Sequence, residues 1–127
     1  MAMLYNRVLD EGLNVLITAT GLADKMYLCS AEPTTYTEAI TTYALGWDNG
    51  NLVITGPADR AGGGREVTMA ALNNNGIATA TGFALWYAIV DDGATELLAT
   101  GPCTSQAITS GNSFSTNQVK IGIPDPA

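Results

Sequence analysis

The sequence predicts a mainly β domain, a β-sandwich or open barrel of jelly-roll-like type, with an N-terminal amphipathic helix and a short second helix. Three observations carry this. From residue 51 onward, short runs rich in Val, Ile, Thr and aromatic residues recur in a two-residue alternation. Gly, Pro, Asn and Asp cluster between those runs at short intervals. Before residue 51 the apolar spacing is instead three and four over residues 4–19. At 127 residues the chain is one domain, long enough to bury roughly two-thirds of its extended surface. Its helix-containing part, residues 1–50, is expected to pack on a β-rich part, residues 51–127.

The first helix rests on Leu4, Val8, Leu9, Leu13, Leu16 and Ile17, with Arg7, Asp10, Glu11 and Asn14 between them. Gly12 weakens it by about 1 kcal/mol relative to Ala, and Gly21 ends it. Residues 25–29 (KMYLC) read as a short strand. After Pro33, Thr35 and Glu38 have capping-box spacing, which predicts one or two helical turns over 36–43. The threonines there oppose the helix, because β-branched side chains lose χ1 freedom in it. Strands follow at 52–55, 65–72, in a hairpin over 83–100, and at 105–109 and 114–123. Turns are expected at 73–76, 91–93, 101–102 and 110–112. The last strand sets Val119, Ile121 and Ile123 on one face and stops at Pro124, which has no N–H to donate to a ladder. No internal repeat is present.

The hairpin FALWYAIVDDGATELLAT is the most informative stretch. On an alternating strand Phe83, Leu85, Tyr87 and Ile89 point one way and Ala84, Trp86, Ala88 and Val90 the other, so both faces need cover. One face goes to the domain core; the other goes to a second layer or to another subunit. The candidate contact surface is therefore Phe83, Leu85, Trp86, Tyr87 and Ile89, joined by Trp47 and by Arg65 at the end of a glycine-rich loop.

Composition excludes several classes. Charged residues are 13% of the chain against a usual value of about 25%, leaving a neutral, hydroxyl-rich surface. Apolar content of 46% with so few charges marks a folded chain. Twelve carboxylates against five Lys and Arg give a net charge of −7, which repels phosphate backbones, so no nucleic-acid partner is expected. No run is long enough to span a membrane, and the first twenty residues lack a basic region followed by an apolar block, so no secretory signal is expected. Cys29 and Cys103 belong to no CxxC pair and read as free thiols.

The chain has no histidine, which removes the commonest general base and metal ligand. Asp91, Asp92 and Glu96 are oxygen ligands of the kind Ca²⁺ takes, but the DDG tripeptide sits where a tight turn needs φ > 0, and turn chemistry is the better reading. These carboxylates adjoin one another, whereas glycosidase carboxyls face each other across a sugar. Gly62, Gly63, Gly64 and Arg65 lack the Lys-Ser/Thr ending and following helix of a phosphate loop, and read as a flexible loop. No catalytic residue, cofactor or metal site is expected, and the protein is expected not to be an enzyme. Exposed tryptophans stack on sugars, while Trp86 between Leu85 and Tyr87 is better placed for a core or subunit interface.

Three phrases come in order across nearly the whole chain: YLCSAEPTTYTEAITTYALG, ALWYAIVDDGATELLATGPCTSQAITSGNSFS and KIGIPDPA. Together they resemble a family of small tailed-bacteriophage virion proteins, in which a strand ends in ALVDD, a strand with LL follows, then CTSQALTSGN and a final strand closing on DP. The stretch GFALWYAIV is bulkier and more aromatic than that pattern. The resemblance carries no catalytic motif. It implies a head decoration (cement) protein that is made in the host cytoplasm, sits on the capsid surface and binds the major capsid protein. A closed homotrimer is the form suited to a three-fold lattice point. The alternative is a tail or fibre component, an adhesin module that binds a host-surface glycan.

Overall fold

A computed structural model of the chain describes residues 3–4, 12–19 and 21–123. Among these residues the protein is mainly β. Its strands are β1 (Met3–Leu4), β2 (Lys25–Cys29), β3 (Ala44–Trp47), β4 (Ile54–Asp59), β5 (Arg65–Met69), β6 (Leu72–Ala78), β7 (Gly82–Asp91), β8 (Glu96–Ile108), β9 (Ser113–Thr116) and β10 (Val119–Ile123). They form a seven-stranded sheet in the order β1-β8-β7-β2-β3-β6-β9 and a three-stranded sheet in the order β10-β5-β4. Every pairing is antiparallel.

One apolar core joins the two sheets. Met26, Leu28, Leu45, Ile89 and Leu98 from the large sheet pack with Ile54, Val67, Met69 and Ile121 from the small one. The residues before position 50 thus supply β2 and β3 to the middle of the large sheet.

The described part of segment 4–19 does not show the expected amphipathic helix. Leu4 lies in β1, opposite Ala99, and Gly12–Leu16 forms a single 3₁₀ turn, while residues 5–11 lie outside the described residues. Gly12 enters the turn at φ +75, a left-handed conformation that stops a helix from running through it. The turn buries Leu13, Val15 and Leu16 in the core. Thr18 fastens its end to β4, with its N–H on the Ile54 carbonyl (3.3 Å) and its Oγ1 accepting the Ile54 N–H (3.2 Å).

The short second helix spans residues 36–42, and its main part, Glu38–Thr42, is a wide π turn closed by Tyr43 N–H to the Glu38 carbonyl at 2.9 Å. Half of the expected capping box forms: Thr35 Oγ1 accepts the Glu38 N–H at 3.1 Å. The Glu38 carboxylate reaches one residue further back, to the N–H and hydroxyl of Thr34, both at 2.8 Å.

Two expected turns are strand irregularities instead. Residues 73–76 lie inside β6, where the register shifts between Leu72 and Gly76 and Asn74 takes φ 60. Hydroxyls of β9 stand in for the ladder there: Thr116 Oγ1 accepts the Leu72 N–H (3.2 Å) and Ser115 Oγ the Asn74 N–H (2.9 Å). Likewise β8 runs through Gly101 and Pro102 and takes in 105–108, absorbing the irregularity as a bulge. The expected strand 114–123 breaks at residues 117–118, where the chain crosses from the large sheet to the small one. Strand β3 has a glycine at its centre; a Cβ on Gly46 would stand 2.6 Å from the Ile77 carbonyl oxygen and 2.9 Å from the Phe114 ring. Only glycine permits that approach.

Candidate functional site

The β7 strand is apolar on both faces, but its faces are not the two that strict alternation gives. Ala84 and Ile89 belong to the main core with Tyr87 packed against it, while Ala88 and Val90 belong to a second cluster with Trp86 against it. The change of phase falls where the β7–β8 register shifts, β7 advancing from Ala84 to Trp86 while β8 goes from Gln106 back to Pro102 and carries the extra residues. Ahead of that bulge, Phe83 and Leu85 stay outside, 63% and 42% exposed.

The second cluster gathers Cys29, Ala39, Ala88, Val90 and Leu97, with Tyr36, Ile40 and Tyr43 packed on it. Segment 36–43 of the same chain therefore covers the outer face at residues 86–90, where another subunit was one expectation. Of the seven candidate contact residues only Phe83 and Leu85 form an exposed apolar pair. Ile89 is fully buried and cannot meet a partner. Tyr87 lies against Gly101, whose missing Cβ would stand 2.4–2.6 Å from the ring. Trp47 is half-buried, with the Lys25 ammonium 5.2 Å from its ring centroid. Arg65 is exposed but occupied, with Nη1 on Asp59 at 2.7 Å and Nη2 on the Pro57 carbonyl at 3.2 Å.

The β7–β8 connection ties this cover down. Its left-handed residue is Thr95 (φ 53), outside the DDG tripeptide where positive φ was expected, and Asp91 Oδ1 accepts the Ala94 N–H at 3.2 Å. Asp92 accepts the Tyr36 hydroxyl on Oδ1 and the Lys25 ammonium on Oδ2, the latter at 2.9 Å. Asp24 Oδ2 takes the N–H groups of Asp92 (2.9 Å) and Gly93 (3.3 Å). The Tyr36 and Lys25 hydrogen bonds hold the Asp92 carboxyl below its ordinary value. The same bond to Asp92 pushes Tyr36 up to about 12 and raises Lys25. The acidic turn is a fastening for segment 36–43. Among the described residues no group of three or more His, Cys, Asp or Glu is placed to hold a metal ion.

A cleft of about 460 Å³ opens between the sheets, where the β8 bulge faces the β9–β10 crossover. Met26, Leu28, Met69, Ala84 and Tyr87 form its floor; Cys103 and Gln106 stand on one side and residues 115–120 on the other. Both cysteines are free. Cys29 is buried with its thiol directed at the Ala39 carbonyl (3.5 Å), and burial pushes it up to about 12. Cys103 is half-buried in the cleft wall, and burial raises it too. Neither is an activated thiolate.

Residues 62–64 all take positive φ, and the loop closes on Arg60, whose Nη1 donates to the Gly63 carbonyl at 3.0 Å. Those glycines serve the β4–β5 hairpin. No helix among the described residues is long and apolar enough to cross a membrane. No family model, curated protein or solved structure matches the chain.

Proposed function

We propose that the protein is a non-enzymatic structural component of a tailed-bacteriophage virion, a head decoration protein that binds the major capsid protein and acts as a homotrimer on the capsid surface. The observation that carries this reading is the exposed pair Phe83 and Leu85 on a charge-free face. Residues 82–90 and 97–108 of β7 and β8 include no Asp, Glu, Lys or Arg, and Ser105 and Ala107, close to the pair on the neighbouring strand, are exposed. Such a face docks on a lattice without stripping water from charges, and apolar anchors ringed by neutral polar groups are the usual make-up of a contact core. Read as a jelly-roll-like open sandwich, the two sheets fall in an architecture that serves capsid domains. Repetition over a shell turns a weak single contact into firm attachment.

The test mixes the protein with undecorated shells of its phage and follows sedimentation and heat disruption. The expected result is saturable co-migration and a raised disruption temperature; about 100-fold excess over Kd contributes about 2.7 kcal/mol per site. The double variant Phe83→Ser/Leu85→Ser should stay folded and lose co-migration. Absence of co-migration by the wild type, or equal binding by the variant, would overturn the reading. Recovery of the protein on tail fibres with saturable glycan binding would replace it.

A further inference from the structure

We propose that the cleft between the β8 bulge and the β9–β10 crossover is a binding site for an uncharged, mainly aromatic small molecule that carries a hydrogen-bonding group. The site is independent of the Phe83 and Leu85 ridge and of any shell contact.

The cleft is built by two irregularities that face each other. On one side β8 carries surplus residues between Pro102 and Gln106, which draws this length of strand off the β7 ladder. On the other, residues 117–118 are unpaired as the chain changes sheets. The cleft's volume of about 460 Å³ falls within the usual range for small-ligand sites, roughly 300–1,000 Å³.

Its lining selects the ligand. Met26 and Met69 lie at the bottom of the lining with Tyr87, 0% and 2% exposed; unbranched thioethers of this kind shift readily to admit a flat ring and favour sulfur–aromatic contact. The titratable side chains of the lining are Tyr87, Cys103 and Lys120. Burial raises the first two, so both stay neutral near pH 7, and Glu66 stands 3.4 Å from the Lys120 ammonium. A cationic ligand would find no carboxylate in the lining and would lose hydration on entering, and an anion would have to compete with Glu66 for Lys120, the one ammonium there.

The polar groups divide in two. Ser115 and Thr116 spend their hydroxyls on β6, accepting the N–H groups of Asn74 and Leu72. The amides of Gln106, Asn117 and Gln118 and the hydroxyl of Thr104 also line the cleft and serve as donors and acceptors for a neutral ligand edge.

The test uses the full chain and the uncharged fluorophore N-phenyl-1-naphthylamine. Emission should rise and saturate at one probe per chain. Cys103 gives a second readout, because it lines the cleft while Cys29 is sealed in the second cluster. At about ten times Kd, alkylation of Cys103 by N-ethylmaleimide should slow about 10-fold, since mass action leaves about one chain in ten open. The Phe83→Ser/Leu85→Ser variant should keep both effects, whatever its behaviour with shells. No saturable emission, saturation with an unchanged alkylation rate, or loss of binding in that variant would each overturn the proposal; the last would put the probe on the ridge.

Discussion

Replacing Gly76 by alanine should destabilise the protein even though alanine is the better strand residue. Gly76 lies opposite Phe114 in the β6–β9 pairing, and the Phe114 side chain is laid across it and buried. A Cβ at Gly76 would stand 2.4, 2.5 and 2.8 Å from Phe114 Cζ, Cε1 and Cδ1. Carbon pairs prefer about 3.5–4.0 Å, so the ring would have to retreat by about 1 Å. The way is obstructed, because the same ring already lies close to Gly46. Overpacking of this kind costs about 1–3 kcal/mol. The opposing gain from stiffening the chain is about 0.5–1 kcal/mol, and it is available here because Gly76 has no positive φ. The clash therefore wins. The expected net loss of about 1–2 kcal/mol lowers Tm by roughly 4–8 °C in a domain of this size. Thermal and urea melts followed by circular dichroism measure it, within a cycle that includes Phe114→Leu. In the Phe114→Leu background the added methyl should be neutral or stabilising, giving a coupling energy of about 1–2 kcal/mol. A higher Tm for Gly76→Ala alone, or the same penalty in both backgrounds, would refute the packing argument.

Asp92→Asn should cost about 0.5–1 kcal/mol, the range for partly exposed charged contacts, because the side chains of Asp92 and Lys25 are 38% and 31% exposed. The lowered Asp92 contributes stability that is present above its ordinary 3.8 and lost as pH falls below it. The raised Tyr36 contributes stability that is present below 10.0 and lost as pH climbs toward about 12. Urea midpoints of wild type and Asp92→Asn should thus differ most between those limits and converge on either side; a difference independent of pH would refute the fastening. Trp86→Ala should cost about 1.5–3 kcal/mol in the same melts, below the roughly 3–5 kcal/mol of a fully buried aromatic, since Trp86 only half enters the second cluster. A loss under about 0.5 kcal/mol, the scale of an ordinary surface change, would remove it from that cluster.

Local pattern made some elements legible. The β2 strand, the β7–β8 hairpin and the Thr35 cap of the second helix depend on alternation, turn residues and short-range bonds, all written in neighbouring positions. Bulges were not legible, because Asn and Gly-Pro make bulges and turns with the same backbone freedom. For residues 73–76 the choice rests on hydroxyls of β9 about 40 residues away. Strand β3 was missed for a related reason: Ala44–Trp47 has little strand pattern, and its place depends on Phe114 filling the space beside Gly46. Of the candidate surface, the apolar character of β7 could be read, but not its division into exposed Phe83 and Leu85 and buried Ile89. That division falls at the register shift against β8, beyond which Ile89 enters the main core. The cleft left no mark in the sequence, since it exists only where two distant irregularities meet.

The placement of β10 fixes when this protein can become itself during synthesis. Residues 119–123 pair with residues 65–69, and Ile121 helps close the core over Val67 and Met69. Until β10 has cleared the ribosome, β5 has β4 on one side only and the core is open where Ile121 will close it. A nascent chain short of β10 therefore carries an unpaired β5 edge and an uncovered stretch of core. Such an edge is the usual starting point for pairing between chains. Crowded polysomes and strong expression are thus the conditions under which this protein is most exposed to misassembly.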